Sequence, residues 1–373
     1  MKLAGKITSV LCSAAVVLSA AAANVSAADD NDWKGIYKAF LNDELNMGKR
    51  EGDDPAFSIF DIDANGTPEL IFSEGDVHLS QCRIYTVSGG ELTLIEDEFG
   101  SSGICFCVPA KHYLISTYIG MGAEIDSYFS LEGTKLTPVI SFYNDEYAVK
   151  ESGTDYTIND EKVTAEEYNN EYAKYFSADE ICLGRTYPLS ENSIKYAVTG
   201  YKSYKKAYGA LLREVYADSE WGPSVFSLMD ITGDKKPELF VRSGVTTDIY
   251  TFADGRVQYM RSEYLHMMSA DSAECSYGYS SGGKMLVMRA VSEKESARSY
   301  TYLKYGKNGL TEQVSVCCGY NADGEYVYEV NGKEVTEEEY EAALKKYSRI
   351  KFKYRTSKKM YSVEESEIKR MLS

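Results

Sequence analysis

Apolar positions along the chain change period as they go, and that change sets out the elements. Trp33, Tyr37, Phe40 and Leu41 form the stripe of an amphipathic helix, and Tyr204, Tyr208, Leu211, Leu212 and Val215 repeat it later. After the first helix the period drops to two. Phe57–Asp61, Glu69–Ser73, Cys82–Val87, Leu92–Glu96, Ile104–Val108, Tyr113–Tyr118, Ser127–Leu131 and Leu136–Phe142 read as short strands broken by turn residues. Gly89-Gly90 and Glu132-Gly133 are hairpin turns between such runs. Each series closes with a hairpin, at Asn159-Asp160 or Asn331-Gly332, and then a helix. Thr164 or Thr336 caps that helix, with Glu167 or Glu339 three residues on to complete a capping box.

The two series are one unit written twice. Trp33–Leu41 matches Tyr204–Leu212, Phe57–Leu70 matches Phe226–Leu239, and Tyr156–Tyr168 matches Tyr328–Tyr340. The order is the same and the offset is nearly constant at about 170 residues. This predicts an α+β fold of two tandem homologous modules, each an antiparallel β-sheet of hairpins flanked by short helices. Module 1 is expected over 29–183 and module 2 over 201–350, each burying its own interior. Residues 184–200, which begin GRTYPLSENS, read as a linker, and 351–373 as a basic, polar C-terminal tail, either a last helix or frayed.

Residues 1–28 have the form of a secretory signal peptide. Lys2 and Lys6 precede an apolar, Ala-rich stretch from Ile7 to Ala23, and Val25-Ser26-Ala27 supplies small residues for cleavage. The expectation is a secreted, extracellular protein with no stable membrane anchor. Removing the leader takes away two lysines and no acids, so the net charge moves from −17 to −19. A surface this acidic repels phosphates, which argues against nucleic acid as a partner. Seven cysteines then remain: 82, 105, 107, 182, 275, 317 and 318. An odd number cannot pair completely within one chain, and no CxxC or Cys–His pair suggests zinc. They read as buried strand cysteines, with a partial disulfide set open outside the cell.

One stretch carries metal chemistry. Asp61-Ile-Asp63-Ala-Asn65-Gly66-Thr67-Pro68-Glu69 places oxygens at positions 1, 3, 5 and 9 with Gly at 6, a spacing that aims several oxygens at one centre. Ca2+ would take Asp61, Asp63, Asn65, the Thr67 carbonyl and Glu69. It is not an EF-hand, because position 12 is Phe72 and a strand follows. The second copy keeps Asp230, Asp234 and Glu238 as a weaker candidate, with Thr232 and Lys235 breaking the pattern. The alternative for both is an Asx-type turn whose carboxylates cap backbone N–H groups.

The segments FSIFDIDANGTPELIFSEG and FSLMDITGDKKPELFVRSG resemble the Asp-x-Asp-x-Asn-Gly-x-Pro-Glu-Leu turn of FG-GAP/VCBS-type repeats. That resemblance implies a turn joining two strands, often calcium-bound, in adhesive proteins. The helix-flanked arrangement with a closing V-T-x-E-E-Y helix is similar to secreted tandem-repeat proteins of anaerobic Gram-positive bacteria. The flanking helices depart from a propeller blade, so a propeller fold is not implied.

Catalytic patterns are sparse. The chain has three histidines, no GxSxG, no Walker A and no GxGxxG. Ser203-Tyr-Lys-Lys206 and Ser281-Gly-Gly-Lys284 fit Ser-x-x-Lys, and Ser203 reads as a helix N-cap. Tyrosine is abundant, at 32 residues against 13 Phe. Tyr113, Tyr118, Tyr128, Phe129, Tyr277, Tyr279, Tyr300 and Tyr302 lie on expected strands, either as exposed platforms or as sheet packing. The leading expectation is a non-catalytic binding or adhesion protein whose partner is an extracellular glycan or protein. A secreted carbohydrate-active hydrolase using Asp/Glu, or an inhibitor or accessory subunit, remains the alternative.

Overall fold

The computed structural model describes residues 32–48, 54–120, 122–145, 155–176, 180–216, 224–244, 246–264, 274–280, 284–292, 296–306, 309–321, 324–356 and 360–373. The expected leader, residues 1–28, lies outside them. So does the Ser281–Gly283 part of the second Ser-x-x-Lys match.

The first half opens with α1 (Trp33–Met47), whose N-cap Asp32 accepts from the Gly35 amide at 3.1 Å. Ten strands follow: β1 (Ala56–Phe60), β2 (Glu69–Ser73), β3 (Cys82–Ser88), β4 (Glu91–Phe99), β5 (Cys105–Val108), β6 (Tyr113–Gly120), β7 (Ala123–Glu132), β8 (Lys135–Asn144), β9 (Tyr156–Ile158) and β10 (Glu161–Val163). Then come α2 (Ala165–Tyr175), β11 (Ile181–Leu183), β12 (Tyr187–Pro188) and α3 (Glu191–Ile194), which widens into a π-turn over Lys195–Thr199. The second half runs α4 (Tyr204–Leu211), β13 (Val225–Met229), β14 (Glu238–Ser243), β15 (Thr246–Ala253), β16 (Arg256–Tyr264), β17 (Glu274–Ser280), β18 (Met285–Ser292), β19 (Ala297–Gly306), β20 (Gly309–Tyr320), β21 (Tyr326–Val330) and β22 (Lys333–Val335). It closes with α5 (Glu337–Tyr347), β23 (Lys353–Thr356), β24 (Tyr361–Ser362) and α6 (Glu365–Leu372).

The architecture is mostly antiparallel sheet with short helices. Two five-stranded sheets have the orders β12-β1-β2-β3-β4 and β24-β13-β14-β15-β16, and two seven-stranded sheets have the orders β10-β9-β8-β7-β6-β5-β11 and β22-β21-β20-β19-β18-β17-β23. Both capping boxes form, Thr164 with Glu167 and Thr336 with Glu339.

Residues 184–200 are not a bare linker, and of the two readings of 351–373 the last helix forms, as α6, with two short strands before it. β12 pairs with β1, and β24 pairs with β13 in the same way. β11 pairs with β5, as β23 does with β17. Strands of two to four residues at a sheet edge are too short to show alternation, which is why the sequence pattern passed over them.

Tyrosine fills much of the core. Tyr168, Tyr172 and Tyr175 of α2 pack on Tyr128 and Phe142, and Tyr347 of α5 stacks on Tyr302 with centroids 4.4 Å apart. Each seven-stranded sheet has its own cluster beneath its closing helix. In the second half, Phe240 and Ile249 of the five-stranded sheet also pack with Tyr277, Leu286 and Leu303 of the seven-stranded one. One apolar cluster runs from Trp33, Tyr37 and Phe57 through Tyr187 and Tyr196 to Tyr208, Phe226, Tyr259 and Leu372. This corrects the expectation that each half buries its own interior: the helices and five-stranded sheets of both halves share one core. No described helix is long and apolar enough to cross a membrane.

Candidate functional site

The Asp61 turn joins β1 to β2, so its carboxylates are set by the register of a hairpin. Asp61, Asp63 and Glu69 each bring one oxygen to a common point, all within 4.8 Å of one another. Two oxygens on opposite sides of a calcium ion would lie about 4.6–5.2 Å apart at the usual Ca–O distance. The donor set therefore fits such an ion in spacing and hardness. Asp61 Oδ1 is also buried with no hydrogen-bond partner, while Oδ2 accepts from the Gly66 amide at 3.0 Å. Burial raises the Asp61 carboxyl above its ordinary range, and the neighbouring Asp63 charge adds to this. Glu69 is fully buried, and burial pushes it up to about 8, although the Ile62 amide donates to it at 2.9 Å.

The other two residues of the motif serve the turn itself. Asn65 Oδ1 accepts from the Thr67 amide at 2.7 Å, and Asn65 Nδ2 donates to Asp63 Oδ2 at 2.9 Å. Asp63 Oδ2 also accepts from the Gly133 amide at 2.7 Å, tying the turn to the β7–β8 hairpin. So the Asx-turn reading is present alongside the convergent carboxylates. Gly66, at φ +92°, takes the left-handed conformation the spacing requires.

The second turn spends its carboxylates differently. Glu238 accepts from the Ile231 and Thr232 amides and from the Thr232 and Thr251 hydroxyls. Asp230 accepts from the Gly233 and Lys235 amides, and Asp234 from the Lys236 amide. The Thr232 hydroxyl stands where the first turn has Asp63, and it donates within the turn instead of inviting a cation. Among the described residues, only the first turn gathers three carboxylates.

A single tyrosine braces each turn from below. Tyr37 Oη donates to the Pro68 carbonyl at 2.7 Å, and Tyr208 Oη donates to the Pro237 carbonyl at 3.0 Å. Both tyrosines are fully buried, and burial raises both phenols.

A cleft of about 430 Å³ opens beside the first turn, a size within the usual range for small-ligand sites. Asp61, Ala64 and His112 line one wall, and Gln258, Tyr259 and Tyr305 line the other. Of these only Asp61 stands out as a site residue in the sequence, because the walls come from different halves and no local pattern joins them. A larger groove of about 570 Å³ lies between α4 and α6. Three of its cations are engaged: Lys205 donates to the Ser373 oxygen, and Arg213 and Lys369 pair with Glu365.

Of the two readings of the strand tyrosines, sheet packing is the one found. Tyr128, Tyr277, Tyr279 and Tyr302 are buried, and Tyr113, Phe129 and Tyr300 are half-buried against other rings. Tyr118 packs on His78 at 5.1 Å. Tyr113, Tyr128, Tyr300 and Tyr302 lie beneath α2 or α5, whereas Tyr277 and Tyr279 face the neighbouring five-stranded sheet. Six described cysteines, 82, 105, 107, 182, 317 and 318, are free thiols. Ser203 sits at the N-cap of α4, and its side chain makes no capping bond.

No family model matches the chain, and no curated protein matches it. Among the solved structures that match is a crystal structure of a protein from Lactobacillus plantarum. It is 9% identical, with 76% of this chain and 82% of that chain covered and a TM-score of 0.17. A likeness that slight carries no argument.

Proposed function

We propose that the chain is a secreted, non-catalytic binding protein built from two homologous modules, with Ca2+ stabilising the first Asp-rich turn and a glycan as its ligand. The observation that carries this reading is the cleft beside that turn. It is lined by the half-buried ring of Tyr305, with the largely buried Tyr259 behind it, beside Gln258, Thr251, Thr311 and Asp61. An aromatic face with amide, hydroxyl and carboxylate partners suits the apolar face and hydroxyl rim of a sugar ring. Asp61 is the one carboxylate among the described lining residues, whereas acid–base glycoside hydrolysis uses two, about 5–9.5 Å apart. This favours binding over the hydrolase alternative. The matching strand orders, and the matching edge strands β12 and β24, support the two-module reading.

The residues that would hold calcium are Asp61, Asp63 and Glu69, and the ion would neutralise three carboxylates that otherwise crowd one another. Thermal melting with and without EDTA tests the ion. A calcium-dependent rise in Tm that Asp61→Ala abolishes is expected, and an unchanged Tm discards the ion. A glycan array tests the ligand. Binding that Tyr305→Ala removes, at an unchanged Tm, supports the cleft, and an empty array rejects a glycan ligand.

A further inference from the structure

The contact between the two halves has a free counterpart at each end of the molecule. Within the chain, β16 of the second half lies against the first half. Tyr187 Oη donates to the Val257 carbonyl at 3.4 Å, the Arg256 guanidinium lies 4.6 Å from the Trp33 ring centroid, and Val257 and Tyr259 share the core that contains Ile181 and Leu183.

Strand register identifies what occupies the same places at the free ends. Ile84 pairs with Glu96 and Tyr85 with Leu94, skipping Ile95, as Ile249 pairs with Arg261 and Tyr250 with Tyr259, skipping Met260. The shared bulge makes Leu94 the counterpart of Tyr259, and Leu92 that of Val257. Tyr259 is 9% exposed beneath its neighbour, whereas Leu94 is 47% exposed. Around Leu94 the free edge is acidic, with Glu91, Asp97 and Glu98 exposed.

The opposite end is basic. Ile181 pairs with Cys107 on β5, and its register equivalent Lys353 pairs with Tyr279 on β17. Ile181 is buried and Lys353 is exposed, with Lys351 exposed beside it. Tyr196 packs edge-on against Tyr187, and in the equivalent place Arg370, itself paired with Glu367 on α6, lies over the Tyr361 ring at 5.2 Å. Buried apolar positions of the internal junction have become cations at one end, and the partner strand has become acidic at the other.

We propose that the β4 edge of one copy docks on the β23–β24–α6 end of a second copy, repeating between molecules the contact β16 makes within one. Leu94 would take the place of Tyr259, and the acids of β4 would meet Lys351, Lys353 and Arg370. Because the two surfaces differ, the contact is head-to-tail and generates an open chain or a ring. Charged outer faces on terminal repeats also serve to keep a repeat array soluble as a monomer. The opposite signs at the two ends are what favour pairing. This inference rests on the two-module reading and is independent of the glycan cleft.

Sedimentation velocity on the purified protein tests it. The weight-average mass should rise with concentration and fall when salt is added, because the charges that meet are exposed and screened. Lys353→Glu with Arg370→Glu, and separately Asp97→Lys with Glu98→Lys, should each give monomer. Mixing the two variants should restore association, because the reversed ends complement each other. All four positions are half-buried or more exposed, and unchanged Tm values confirm that the fold is intact. A wild-type protein that stays monomeric at every concentration and ionic strength overturns the proposal. So do variants that associate as the wild type does.

Discussion

Replacing Tyr37 with Phe removes one oxygen and leaves the rest of the ring in place. The Tyr37 hydroxyl reaches the Pro68 carbonyl at 2.7 Å, inside a core where Tyr37 itself is fully buried. A secondary contact to the Tyr85 carbonyl is 3.4 Å long and adds little. Losing the donor leaves the Pro68 carbonyl short of a partner, at a cost of about 1–3 kcal/mol. Tyr208→Phe makes the same change beneath the second turn, where the bond to Pro237 is 3.0 Å. The two tyrosines lie on different helices, α1 and α4, beneath different turns and share no bonding partner, so their costs should add to within about 0.5 kcal/mol.

Calorimetry separates the effect from its context. One kcal/mol moves Tm by about 2–4 °C in a cooperative unit of 150–250 residues, and by about half as much in a unit twice that size. Because a single apolar cluster joins the halves, one transition is expected, with each variant lowering it by about 1–6 °C and the double variant by the sum. Two separate transitions, with Tyr37→Phe moving one and Tyr208→Phe the other, would refute the shared core. An unchanged Tm in both variants would refute the bracing role of the hydroxyls.

Thr164→Ala and Thr336→Ala each remove an N-cap whose hydroxyl accepts from the Glu167 or Glu339 amide, so chemical denaturation should show a loss of about 1 kcal/mol apiece. Asp248 accepts from the Tyr216 hydroxyl at 2.6 Å, and burial raises its carboxyl above the ordinary range. The folded state therefore holds a proton that the unfolded chain has already released, and stability falls as pH rises from the ordinary Asp range to the raised one. Asp248→Asn should flatten that part of the stability–pH curve, and an unchanged slope would reject the assignment. Burial raises the Cys182 and Cys317 thiols to about 12, so alkylation mapped by mass spectrometry at neutral pH should be slow at both in the native protein and fast in urea. Rapid native labelling at either would contradict their burial.

What the sequence determined by itself was local. Period-two runs bounded by Gly and Asn turns marked the long strands, because a strand with one buried face must alternate. Thr164 with Glu167, and Thr336 with Glu339, close their bonds within four residues and were legible as capping boxes. The Asp61 turn was legible for the same reason, since five of its oxygen-bearing residues and its glycine fall within nine positions. Tertiary structure decided everything that depends on what lies across a face. Alternation showed that one side of the strand carrying Tyr128 is buried, but only packing put α2 over that ring. Edge strands β11, β12, β23 and β24 are too short to hold a period, and they exist because a longer strand pairs with them. The common core of Tyr187, Tyr196, Tyr208 and Tyr259, and the cleft beside Asp61, join residues far apart in the chain, and hydrophobic burial is indifferent to that distance.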